Sequence, residues 1–352
     1  MPDLASAEQL IAARRCPAQL CVISGGTVVL DRAYRCPADS LFVLFSASKP
    51  LVALLVHQLA ERHRLRLDDP VARYWPEFGQ HGKQAITIRQ VLQHRSGLPV
   101  ARSAALDALT MTDWARSVRA LEQAAPAYPA GQVPAYHFLS YGFLLGELVQ
   151  RVTGRPVRAV LETELLAPLR LRDTFLGLPP GCQDRQVPVR GRGGAERLTA
   201  LMMNRRSVRQ AVIPAASVSA TARDLARLYQ ALANGGELGG ARILGSAALR
   251  SALRPSSDGE TDRYLKLPVR WSEGFQLGGE RGGPPRLGGR HSALGQHSSP
   301  RAFGHNGSYV CIGWADPGRD LAVGYVSARL VSRAEGARHM SQLSDAILAA
   351  CG

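Results

Sequence analysis

The sequence predicts a mixed α/β fold of the α+β kind: one sheet assembled from both ends of the chain, helices covering it, and a mostly helical lobe inserted between. Three observations predict it. β-rich runs lie towards the two ends, in 19–34 and 308–328. Between them, apolar residues recur at helical spacing. The 352 residues exceed a typical single domain, yet two lobes around one sheet accommodate them without a second independent unit. The expected division is a single domain with a sheet lobe at roughly 1–60 and 210–352 and a helical lobe at roughly 61–209.

The elements follow in chain order. LCVIS and TVVLDRAY, within 19–34, read as a β-hairpin, because Gly25-Gly26 supplies the positive φ angles of a tight turn. LFVLF (41–45) reads as a short buried strand or core approach. From Ser46 the pattern turns helical, with Val52, Leu54, Leu55, Leu59 and Leu65 forming a stripe. TIRQVLQH (87–94) is a short helix stopped by Ser96-Gly97-Leu98-Pro99. Residues 140–153 form another, capped by Gly154, and 221–234 a third, ended by Gly235-Gly236. Residues 278–301, rich in Gly, Arg, Pro and Ser, read as a surface loop. Two strands follow, 308–316 and 321–328, joined by Pro317-Gly318, and a last helix spans about 332–350.

Composition narrows the classes. Apolar residues make up 45%, as in a globular protein. The net charge of +15 is almost all arginine, since Lys49, Lys83 and Lys266 are the only lysines. The arginines are scattered, with no recognition motif beside them, which favours a solvated surface over a nucleic-acid site. Cysteines 16, 21, 36, 182, 311 and 351 have neither C-x-x-C nor zinc spacing and are expected to be reduced thiols. MPDLASAEQLIAARRC lacks the apolar core of a secretion signal, and no apolar stretch is long enough to cross a bilayer. The expectation is therefore a cytoplasmic protein with no nucleic-acid and no membrane partner.

Three short motifs carry chemistry. Ser46-Ala47-Ser48-Lys49 stands where strand turns to helix. Residues three apart share a helix face, so the lysine amine lies beside the serine hydroxyl. A serine needs a neighbouring base to become a nucleophile, and a lysine serves when burial lowers its pKa. The same four residues also suit an N-cap serine with a solvated lysine one turn on. Tyr136-His137-Phe138 follows the loop PAYPAGQVPAY. A tyrosine there can relay the serine's proton if the lysine cation favours its phenolate, or it can simply pack. Gly304-His305-Asn306-Gly307-Ser308 opens the strand that follows, where backbone N–H groups can face an oxyanion, or where the turn merely needs glycine.

In the order S-x-x-K, Tyr, H-x-G, the chain resembles the class C β-lactamase-like serine hydrolases of the penicillin-binding-protein superfamily, and within them the family VIII esterase branch. FSASKP resembles the serine motif. LDDPVARYWPEF and ITIRQVLQHRSGLP resemble the segment after it, and YHFLSYGFLLGELVQRVTG the tyrosine motif with its helix. LLAPLRLRDTFLGLP, TARDLARLYQALANGGEL and FGHNGSYVCIGWADP resemble later signatures. The resemblance implies the β-lactamase/penicillin-binding-protein fold, an antiparallel sheet flanked by helices. It also implies Ser46 as nucleophile, Lys49 as base or its electrostatic support, and Tyr136 as second base and acid. His305 takes the first position of the K-T-G or H-x-G element, and the N–H groups of Ser46 and Ser308 match the oxyanion hole, with Gly307 between. No cofactor or metal is implied.

Two departures bear on the substrate. Phe138 stands where the β-lactamase pattern Y-x-N has asparagine, and His305 where K-T-G has lysine. Both resemble the esterase branch. The expected substrate is a small-molecule ester or amide, cleaved through an acyl-enzyme. β-Lactamase, D-amino-acid peptidase or transesterase activity at the same site is the alternative, as is a catalytically weak binding or scaffold homologue. G-x-S-x-G, H-E-x-x-H and P-loop motifs are absent, which leaves those other hydrolase and nucleotide classes without support.

Overall fold

The computed structural model describes residues 2–279 and 292–352. A helix α1 (Ala5–Ala13) leads into the hairpin of β1 (Ala18–Ser24) and β2 (Thr27–Tyr34). Gly25 and Gly26 turn it at φ 56° and 70°, as the dipeptide requires. The short β3 (Phe42–Val43) precedes α2 (Lys49–Glu61). Next come α3 (Ile88–Leu92), with a Thr87/Gln90 capping box, and α4 (Ser140–Thr153), which ends on left-handed Gly154. Then follow β4 (Thr174–Leu176), α5 (Gly194–Met203), β5 (Val218–Ala220) and α6 (Ala222–Ala233), the last capped by the Thr221 side chain. The final stretch holds β6 (Gln276–Leu277), β7 (Phe303–Gly307), β8 (Cys311–Asp316), β9 (Leu321–Ser327) and α7 (Arg333–Cys351).

The central sheet has six strands in the order β6-β7-β8-β9-β1-β2, every neighbour antiparallel. The two ends of the chain meet where β1 pairs with β9, Ala18 opposite Ser327. Both faces are covered, so the inner strands read as near-continuous apolar runs. Along β1, Cys21 and Ile23 face one core with α2 and α6, while Leu20 and Val22 face a second core with α1 and α7. Gly313 and Gly324 oppose each other across β8 and β9. A Cβ on either would strike α6, at the Tyr229 ring or at Ala222 O, so these glycines let the helix sit down on the sheet.

Several expectations are corrected. The helix α1 was not foreseen; it is short, and only Ala7 and Ile11 of it are fully buried. Residues 308–316 are not one strand. Gly304 to Gly307 already belong to β7, and Ser308-Tyr309 turn the chain into β8 at φ 49° and 53°. The left-handed angles fall on two non-glycine residues, just after the Asn306-Gly307 pair. In 41–45 only Phe42 and Val43 are strand, because Phe45 already begins a 3₁₀ turn. Of the expected loop 278–301, residues 280–291 lie outside the described residues, but Ala293 and Leu294 are buried in the second core rather than on the surface. Among the described residues no helix is long and apolar enough to cross a membrane.

Candidate active site

Ser46 sits in a tight 3₁₀ turn, Phe45–Ser48, between β3 and α2. Leu44 N–H donates to Val218 O at 2.7 Å, which ties the end of β3 to β5. The chain then reverses through Phe45 at φ 45°, a costly conformation for an aromatic residue. Lys49 opens α2 one turn on, and its Nζ stands 3.3 Å from Ser46 Oγ and 3.4 Å from Ala215 O. The side chain is 1% exposed, which removes the solvated-lysine alternative. Among the described residues Lys49 has no carboxylate partner in an ion pair. Burial holds its amine well below the ordinary lysine range, and a neutral amine is a base.

Tyr136 leans over the same pair, with Lys49 Nζ 4.7 Å from its ring centroid and its hydroxyl bonded to the Ser46 side chain. Burial pushes the phenol up, against the opposing effect of the Ser46 hydrogen bond. The direction of the shift favours the protonated phenol.

The ring is fixed from behind by a residue that no motif announces. Asp262, fully buried, accepts from Tyr136 N at 3.1 Å, Tyr264 N at 2.9 Å, Leu265 N at 2.8 Å and Trp271 Nε1 at 3.1 Å. Trp271 in turn stacks on Tyr136, centroids 5.5 Å apart and 16° off parallel. Nothing near Asp262 in sequence signals this, since its partner Tyr136 is 126 positions away.

β7 supplies the opposite wall. Gly307 packs against the serine turn so closely that a Cβ there would meet Leu44 O. That contact brings Ser308 beside Ser46. Among the described residues neither the Ser46 nor the Ser308 amide N–H donates a hydrogen bond within the protein. His305 is buried, and its Nδ1 lies 2.8 Å from Asn306 O, which makes Nδ1 the donor and Nε2 an acceptor. Nε2 has no partner among the described residues. Burial, and secondarily Lys49, lowers His305 to about 3, so it carries no charge near neutrality. His94 and His137 lie behind Tyr136, Nδ1 to Nδ1 at 3.0 Å, and burial lowers both, His137 to about 3.

Ser46, Tyr136, Phe138, His305 and Ser308 all line one cavity of about 400 Å³, whose farther walls include Tyr264, Leu265, Leu267 and Val269. Lys49 and Gly307 are not among its lining residues but adjoin them, Lys49 through Ser46 Oγ and Gly307 as the neighbour of Ser308. The predicted residues thus converge, from segments more than 250 positions apart in the sequence.

A buried lysine beside a serine, with two nearby amides that donate no hydrogen bond among the described residues, is an arrangement suited to serine acyl transfer. Comparisons with known proteins agree. The family model described as Beta-lactamase matches residues 6–346. The esterase/beta-lactamase LipL of Mycobacterium tuberculosis is 33% identical over 338 residues, which cover 86% of this chain and 73% of that protein. A penicillin-binding-protein homologue from Caulobacter crescentus superposes with a TM-score of 0.81 at 29% identity, covering 99% of this chain and 98% of the other. A family VIII carboxylesterase gives 0.80 at 26% identity, covering 97% of each. The chain belongs to the β-lactamase family of serine hydrolases.

Proposed function

We propose that this protein hydrolyses carboxylic esters through an acyl-enzyme on Ser46, with Lys49 as general base and Tyr136 as general acid. The neutral Lys49 amine takes the Ser46 hydroxyl proton as Oγ attacks the ester carbonyl carbon. The carbonyl electron pair moves onto oxygen, facing the N–H groups of Ser46 and Ser308. The oxyanion collapses and the C–O bond to the alcohol breaks. Tyr136 gives its proton to the departing alkoxide and recovers one from the Lys49 ammonium. Water then repeats the sequence on the acyl-enzyme, with Lys49 accepting its proton, and releases the acid. The observation that carries the reading is the buried, carboxylate-free Lys49 amine 3.3 Å from Ser46 Oγ.

Esters are favoured over β-lactams for two reasons at the cavity. Phe138 presents a ring where a carboxamide would hold an amide, and His305 is uncharged where a cation would hold a carboxylate. We also take the chain as one hydrolase domain, with the sheet lobe and helical lobe divided near residues 60 and 210. A cytoplasmic location is part of the proposal, supported by six free cysteines.

The test compares nitrophenyl butyrate with nitrocefin as kcat/KM, with Ser46→Ala as control and a fluorophosphonate to trap the nucleophile. Higher kcat/KM on the ester, and a label mapping to Ser46, are expected. A nitrocefin value equal to or above the ester value would replace the esterase with a β-lactamase. A label on another serine would remove Ser46.

A further inference from the structure

The outer face of α5 is built the wrong way round for water. Its turns bury Ala200 and Met203, and Ala195, Glu196 and Thr199 line the mouth of the cavity. The side away from the core, where polar residues are expected, carries Leu198 and Leu201, 69% and 62% exposed. Flanking this pair along the chain are Arg190, Arg192, Arg197, Arg205 and Arg206, all exposed, against the single carboxylate of Glu196 in the same stretch. Among the described residues none of the five arginines has a hydrogen-bonded or ion-paired acidic partner, whereas arginines elsewhere commonly do, such as Arg185 with Asp173 and Arg62 with Glu164.

Against the sequence expectation of no membrane partner, we propose that this face docks on an anionic lipid surface, with the two leucines entering the headgroup boundary and the arginines meeting the phosphates. An apolar pair flanked by unpaired cations is what an interfacial helix presents. A second copy of the chain is the poorer occupant, because a symmetric contact would set arginines against arginines. A nucleic acid is poorer too, since it gains nothing from two exposed leucines. The docking itself does not depend on ester hydrolysis and is read without turnover.

Sedimentation of the full chain with vesicles tests it. Vesicles of phosphatidylcholine with about one third phosphatidylglycerol should carry the protein down, and phosphatidylcholine alone should carry at least about tenfold less. About 0.5 M NaCl should weaken binding by a similar factor. L198S/L201S should lose about tenfold or more, and R197Q/R205Q/R206Q likewise, with thermal midpoints and soluble-ester turnover near wild type. Equal binding to both vesicles, or full binding by L198S/L201S, overturns the proposal. So does a dimer that the leucine variant abolishes, or retention on DNA without retention on vesicles.

Discussion

The base role proposed for Lys49 requires an uncharged amine, and burial pushes it in that direction. It has no carboxylate partner among the described residues and almost no exposure, so burial alone sets the direction of its shift. Because the working form is the neutral amine, ester kcat/KM should fall as pH drops through the lowered lysine pKa. That acid limb should lie well below the ordinary lysine range. Lys49→Ala and Tyr136→Phe should each lower kcat by at least about 10²-fold, and together by much less than the product, because they serve one proton path. Lys49→Arg, which cannot titrate, should be inactive at every pH. A wild-type profile without an acid limb, or either single variant turning over near wild type, would refute the assignment. The proximity of Ser46 and Lys49 was legible in the sequence because three-residue spacing at a helix start fixes it without knowledge of the fold. Asp262 was not legible, although it holds Tyr136, Trp271 and the wall at Tyr264 together. Its importance arises from contacts between distant segments, and an isolated aspartate in a loop carries no pattern.

At the scale of elements, the site depends on two strained turns that face each other. Phe45 at φ 45° delivers Ser46, and Ser308-Tyr309 at φ 49° and 53° deliver an N–H to the same place. The second turn was misread in the sequence as the start of a strand. An Asn-Gly pair does stand here, at 306–307, but one step early: the positive φ angles fall on the two ordinary residues that follow, held between β7 and β8. Asparagine tolerates the left-handed region better than serine. Ser308→Asn should therefore raise the thermal midpoint by about 2 °C, corresponding to about 1 kcal/mol. Since the backbone N–H is unchanged, ester kcat should stay within about threefold. A stabilised variant with kcat reduced by tenfold or more would give the Ser308 hydroxyl, rather than its N–H, the part in catalysis. The helices were read more faithfully than this turn. The N-cap of α6 and the glycine cap of α4 are local devices that act within a few residues of where they are written.

Across the whole molecule, an arginine-rich surface encloses an interior that holds histidines uncharged. Two of the three lysines, Lys49 and Lys83, are buried, so the permanent positive charge of the surface is almost entirely arginine. The buried histidines set the pH dependence of folding. Burial lowers His137, His305 and His339 to about 3, and lowers His57 and His94 as well. An unfolded histidine titrates near 6.5. Between about 6.5 and 3 the unfolded chain therefore binds protons that the folded chain refuses, and stability must fall as the medium is acidified. Each histidine that stays neutral contributes a slope of about 1.4 kcal/mol per pH unit within that window. Chemical denaturation at pH 7.5 and at about pH 5.5 should show a clear loss at the lower value. His339, which lies 3.1 Å from the Tyr325 hydroxyl and away from Ser46, separates this effect from catalysis. His339→Gln should flatten the acid slope by about one proton's worth while leaving the acid limb of ester turnover in place. A stability unchanged from pH 7.5 to 5.5 would mean that these histidines are not buried neutral. A slope unaltered by His339→Gln would remove that residue from the set.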